Sequence, residues 1–227
     1  MTGAEWKIDV DGESTRAVYE PATSELERAV YVFAHGAGGN MSDRAMLGAT
    51  KIMRGIGLGV VRFNFLYKER GSGRPDQMPK LMATTRAVVD RVRAELSPKT
   101  LIIGGRSMGG RAASMLAAEG FDADGLLLLA YPLHPEGAPE KLRDAHLPKI
   151  RMPVLCFNGT RDGLCTPGLM EQALKTVIAP WEMHWLDGAD HSFHVLKSSG
   201  RNDAAVLAEV GAVSSAWLER QILGSSS

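Results

Sequence analysis

The stretch Thr100-Leu-Ile-Ile-Gly-Gly-Arg-Ser-Met-Gly-Gly-Arg111 decides the fold. Its apolar run, residues 101–103, reads as a β-strand and feeds into Gly105-Arg106-Ser107-Met108-Gly109. A small-residue helical stretch, 112–118, follows at once. Gly-x-Ser-x-Gly alone means little in a chain with 25 glycines. Between a strand and a helix it marks a sharp turn that carries a nucleophilic serine. Such a turn strains the serine backbone, and its neighbours two places away must be nearly free of side chain. Gly105 and Gly109 suit those places. The turn lifts the Ser107 hydroxyl above the sheet edge, at the N-terminus of the next helix, where free N–H groups favour a developing negative charge.

Outward from this turn the chain alternates strands and helices. Strands are expected near 7–10 and 16–20, as an antiparallel start, and then at 29–34, 59–65, 125–130, 154–157 and 181–185. Helices are expected from a cap at Ser42 or Asp43 to about 54, then over 80–95, 167–178 and 204–222. Residues 67–79 read as a polar loop and 134–151 as irregular or partly helical. The central apolar runs are continuous rather than alternating, which implies a mostly parallel sheet buried on both faces. The fold class is therefore α/β, with helices on both faces. The 134–151 connection is too short for a large cap. The tail Gly224-Ser-Ser-Ser227 reads as loose.

Bulk properties agree with one domain over residues 1–227. The chain is 44% hydrophobic and 23% charged, with a formal net charge of zero. Nothing in this balance calls for nucleic acid or an anionic membrane. No stretch is long and apolar enough to span a bilayer, and Met1-Thr-Gly-Ala-Glu-Trp-Lys7 lacks the basic and apolar parts of a signal peptide. The expected location is cytoplasmic. Two cysteines, Cys156 and Cys165, form no metal-binding pattern, and no activating base is evident near Cys165. No metal or cofactor is expected.

A serine nucleophile needs a base, and the base needs a carboxylate to orient it. On an α/β sheet of this kind the acid and the histidine follow the serine in that order. Asp162, just past the strand at 154–157, is the candidate acid, with Asp187 and Asp190 as rivals. His191, in the loop after the last strand, is the candidate base; His194 and His184 are the alternatives. An oxyanion hole would take one donor from the Met108 N–H and a second from the Ala37 N–H, in the loop His35-Gly-Ala-Gly-Gly. Lys68, Arg70 and Arg74, with Arg106 and His134, could receive an anionic substrate, although the 67–79 loop reads more simply as solvated surface.

Together these residues resemble the α/β-hydrolase fold. The motifs His35-Gly-Ala-Gly-Gly, Val61-Arg-Phe-Asn-Phe65 with Arg74-Pro-Asp76, Gly104-Gly-Arg-Ser-Met-Gly-Gly-Arg111, Tyr131-Pro-Leu-His134 and Asp190-His-Ser-Phe193 are similar to one group within it. That group holds predicted hydrolases classed with testis-expressed Tex-type proteins and a regulatory subunit of the non-specific-lethal acetyltransferase complex, near dienelactone-hydrolase-like enzymes. The similarity runs from about residue 28 to 222 and implies a triad at Ser107, Asp162 and His191. One departure is Gly163-Leu-Cys-Thr166, where relatives often carry Pro-Phe-Gly after the acid. The implied activity is a serine hydrolase cleaving a small ester or thioester. The competing expectation is a non-catalytic scaffold, as the chromatin-associated relative suggests.

Overall fold

A computed structural model of the chain describes residues 3–24 and 27–224. Its centre is an eight-stranded sheet of β1 (Ala4–Val10), β2 (Glu13–Glu20), β3 (Ala29–Ala34), β4 (Leu58–Phe63), β5 (Leu101–Arg106), β6 (Gly125–Leu129), β7 (Val154–Gly159) and β8 (Trp181–Leu186). The strand order is β1-β2-β4-β3-β5-β6-β7-β8. β1 and β2, and β2 and β4, pair antiparallel; the remaining pairs are parallel. Every residue of β3, β4, β6 and β7 is buried, the reason their apolar runs do not alternate.

Helices α1 (Arg44–Gly55) and α6 (Asp203–Trp217) cover one face of the sheet. There Met46, Met53, Val206 and Trp217 pack on Tyr31, Phe33, Leu127 and Phe157. On the other face, α3 (Met78–Leu96), α4 (Met108–Ala118) and α5 (Pro167–Leu174) set Val88, Val92, Leu116 and Met170 against Val32, Val61, Ile103 and Cys156. The connection from β6 to β7 contains one 3₁₀ turn, Leu147–Lys149, and no cap.

The chain turns outward from β3 through α1 to β4, returns through α3 to β5, and then proceeds the other way. The carboxyl ends of β3 and β5 are therefore the switch point of the sheet, where open α/β sheets form their ligand crevice. His35 and Ser107 follow those two strands.

Several boundaries differ from the sequence expectations for local reasons. The opening strands are longer because a two-residue Asp11-Gly12 turn joins them as a tight hairpin. Part of the 67–79 loop is ordered as the single turn α2 (Leu66–Glu69), held by a hydrogen bond from the Tyr67 amide to Asp76 at 2.9 Å. α3 starts earlier than expected, with Pro79 in its first turn, where a missing N–H costs nothing. α5 stops at Leu174, because the β-branched run Thr176-Val177-Ile178 disfavours more helix and the Thr176 hydroxyl bonds back to the Ala173 carbonyl. The last helix widens into a π-helical segment over Leu218–Leu223. Residues 225–227 of the expected loose tail lie outside the described residues. Among the described residues, no helix is long and apolar enough to cross a membrane.

His146, beside the 3₁₀ turn, hydrogen-bonds the Ser114 side chain of α4 at 2.8 Å. Burial, helped by the Arg111 charge, pushes its imidazole from 6.5 down to about 4. The unfolded chain therefore binds a proton here that the folded one refuses. This contribution to stability is whole above pH 6.5 and is lost as pH falls towards 4. In urea melts at stepped pH, His146→Gln should flatten that slope; an unchanged slope would mean that His146 titrates normally.

Candidate active site

Ser107 joins the end of β5 to the start of α4 as the helix N-cap, with φ 49° and ψ −115°. A non-glycine residue there is strained, at a cost of about 1–3 kcal/mol that the surroundings must offset. Its amide donates to the Leu129 carbonyl at 2.9 Å, and its carbonyl accepts from the Arg111 amide at 2.9 Å, so the turn is held from both sides. A Cβ on Gly105 would stand 2.6 Å from the Ala34 carbonyl oxygen and 2.7 Å from the Gly109 carbonyl carbon. One on Gly109 would stand 2.6 Å from both the Ala34 and His35 oxygens. The two glycines let the turn press against itself and against the end of β3.

His191 lies in the loop after β8, with Nε2 2.9 Å from Ser107 Oγ. Its Nδ1 is 2.9 and 2.8 Å from the two oxygens of Asp162. Since the carboxylate accepts, Nδ1 carries the proton and Nε2 is left to accept from the serine. The Asp162 side chain is fully buried. It accepts from the Leu164 amide at 2.8 Å and from Asn158 Nδ2 at 2.9 Å, so its charge keeps hydrogen-bond donors in place of water.

The rival residues are engaged elsewhere. Asp187 accepts weakly from Thr160 Oγ1 at 3.4 Å, and Asp190 holds the amides of Ser192 and His194 in a turn. His194 pairs with Asp203, and His184 with Glu209. His134 bonds Thr166 through Nε2 and the Pro135 carbonyl through Nδ1, away from the serine. Both cysteines are free and buried, and burial pushes their thiols up, away from the reactive thiolate.

His35 organises the opposite wall. Fully buried, it accepts the Phe65 amide at Nε2 (3.1 Å) and donates from Nδ1 to the Gly36 carbonyl (2.8 Å). Only the neutral Nδ1–H tautomer makes both bonds, and burial lowers its pKa to match. In a trans peptide the carbonyl and the following N–H point in opposite directions. Drawing the Gly36 carbonyl to His35 therefore turns the Ala37 N–H away from the core. Ala37 lines a cleft of about 410 Å³ with Gly36, Ser107 and His191. Met108 supplies the first amide of α4, which no helical carbonyl can take.

One residue escaped the sequence reading. Asn158 accepts the Tyr131 amide, donates to the Tyr131 carbonyl and donates to Asp162, so it ties β7 to the end of β6 beneath the acid. A polar residue closing the buried run Val-Leu-Cys-Phe was the available signal. In the 67–79 loop, Arg70 is paired with Glu13 and Asp76, and no residue of the loop is among those lining the cleft.

The sequence profile of the alpha/beta hydrolase domain matches residues 27–219, and the chain belongs to that family. Solved structures with the same fold include Est1E from Butyrivibrio proteoclasticus bound to ferulic acid, at 17% identity and TM-score 0.78, covering 96% of this chain and 99% of that one. A serine hydrolase without a lid from Xanthomonas campestris is 20% identical at TM-score 0.73, covering 97% and 95%. Dienelactone hydrolase from Anabaena variabilis is 18% identical at TM-score 0.74, covering 98% and 100%. At these identities the likeness establishes the fold.

Asn158→Ala would strip partners from the Tyr131 amide and carbonyl and from Asp162. Leaving buried polar groups unpaired should lower the unfolding free energy by about 2–4 kcal/mol. Urea denaturation measures this; a loss below about 1 kcal/mol would show that other donors replace the amide.

Proposed function

We propose that the protein is a serine hydrolase that cleaves a small ester or thioester through an acyl-enzyme on Ser107. The observation that carries this reading is the hydrogen-bonded chain from Ser107 Oγ through His191 to the buried Asp162. In this mechanism Ser107 Oγ attacks the substrate carbonyl as His191 Nε2 takes its proton. The imidazolium is stabilised by Asp162, which holds the ring in place and does not itself become protonated. The N–H groups of Ala37 and Met108 would hold the oxyanion. His191 then passes the proton to the leaving oxygen or sulfur. Water attacks the acyl-enzyme by the same route in reverse and regenerates Ser107.

The geometry suits this sequence of steps because the base already bonds the nucleophile and the acid already bonds the base. No cofactor takes part. The absence of a cap over the 130–153 connection leaves the cleft open to a small molecule. Within the family, the Arg-Ser-Met-Gly-Gly motif ties the chain most specifically to the Tex-type group. The two free thiols suit a cytoplasmic enzyme.

A fluorophosphonate should label Ser107 and no other residue, and Ser107→Ala should not label. A wild-type protein that fails to react would favour a non-catalytic scaffold. Asp162→Asn should keep the fold and cut kcat for a short-chain aryl ester on the order of 10⁴-fold, the cost of presenting the wrong histidine tautomer. An equal loss in Asp187→Asn, with little in Asp162→Asn, would move the acid role.

A further inference from the structure

Arg106 ends β5, one residue before the nucleophile. Its Nη2 donates to the His191 carbonyl at 2.8 Å, and its guanidinium carbon lies 5.9 Å from the centre of the Phe193 ring. Among the described residues it forms no ion pair, although burial is strong enough to depress its pKa. A guanidinium stays charged at any ordinary pH and carries five donors in a planar fork. Removing it from water without an anion is costly.

The nearby carboxylates do not supply that anion. Asp43 and Asp190 act on Arg106 only from beyond ion-pair distance. Asp43 is committed to the amides of Asn40 and Met46, Asp190 to those of Ser192 and His194, and Asp162 to His191. Arg106 also stands at the junction of two cavities. The first is the cleft of Ser107 and His191. The second, about 450 Å³, is walled by Phe33, Leu129, Phe193 and Leu207. Arg44, exposed at the start of α1, borders both and has no ion pair among the described residues. The Asp203 carboxylate on the rim of the second cavity is held by His194 and the Val195 amide.

We infer that the substrate carries a carboxylate, received by the Arg106 guanidinium beside Ser107, with its apolar portion in the Phe33–Leu129–Phe193 cavity. Arg44 adds a second positive charge at the rim. This inference rests on the hydrolase reading and names its substrate class. It also moves the anion-binding role away from the 67–79 loop, where Arg70 is neutralised by Glu13 and Asp76.

The experiment compares kcat/KM for two matched ester pairs at low and high salt. One pair varies the acyl side, with 4-nitrophenyl hydrogen adipate against 4-nitrophenyl hexanoate. The other varies the alcohol side, with 4-acetoxybenzoate against phenyl acetate. In at least one pair the wild type should prefer the anion, and Arg106→Gln should lower that preference on the order of tenfold, chiefly through KM. Arg106→Lys should restore part of it, since the charge returns without the fork. Arg44→Gln should have a smaller effect that vanishes in high salt, because exposed charges are screened. Arg70→Gln should leave the ratio unchanged. A wild type with no preference for the anion in either pair overturns the inference, even if Arg106→Gln does not fold. So does equal loss for the neutral and anionic members in Arg106→Gln. Both results leave the hydrolase reading intact. A protein inert to all four esters and to fluorophosphonate overturns the hydrolase reading, and the inference with it.

Discussion

Two backbones meet at contact distance beneath Ser107, and the site is built on that approach. β5 must end against the carboxyl end of β3 so closely that Ala34 and His35 leave no room for a Cβ at Gly105 or Gly109. The contact forces Ser107 into a positive φ, and the strain is offset by its amide bond to Leu129 and by the helix that starts behind it. Three consequences follow from one packing event. The Ser107 hydroxyl reaches His191, α4 starts directly behind it, and the loop after β3 lies against the serine. Gly36 is part of this wall, since a Cβ there would touch Ser107 Cβ at 3.4 Å.

Charge is distributed around this turn by burial. Asp162 is held in a buried site by Asn158, the Leu164 amide and His191, so its negative charge bears directly on the imidazole. His35 is kept neutral by its burial, and its two bonds fix its tautomer and the orientation of the Gly36–Ala37 peptide. The two histidines differ in role because one faces a carboxylate and the serine while the other faces an amide and a carbonyl. Arg106 completes the pattern as a charge held at the cavity junction with no ion pair among the described residues.

The expectations that held were those in which local chemistry and tertiary structure demand the same thing. The continuous apolar runs at 29–34, 125–130 and 154–157 could be satisfied only in a sheet covered on both faces. The strand–Gly-x-Ser-x-Gly–helix succession left one sharp turn available. Boundaries fared worse where a side chain acted at short range: Asp76 winding α2, Thr176 ending α5 and the Asp11-Gly12 turn extending the first two strands.

By itself, the sequence determined the mostly parallel sheet, the place of the turn and the order along the chain in which Ser107, the candidate aspartates and His191 occur. These follow from periodicity, from glycine's lack of a side chain and from residue type. Only the tertiary structure decided which of Asp162, Asp187 and Asp190 meets His191, that Asn158 lies beneath Asp162, and that Arg106, without an ion pair among the described residues, rather than the paired Arg70 stands beside Ser107. Those outcomes depend on distances between β3, β5, β6, β7 and the loop after β8. Such distances are set when the whole sheet packs, and no local pattern of residues encodes them.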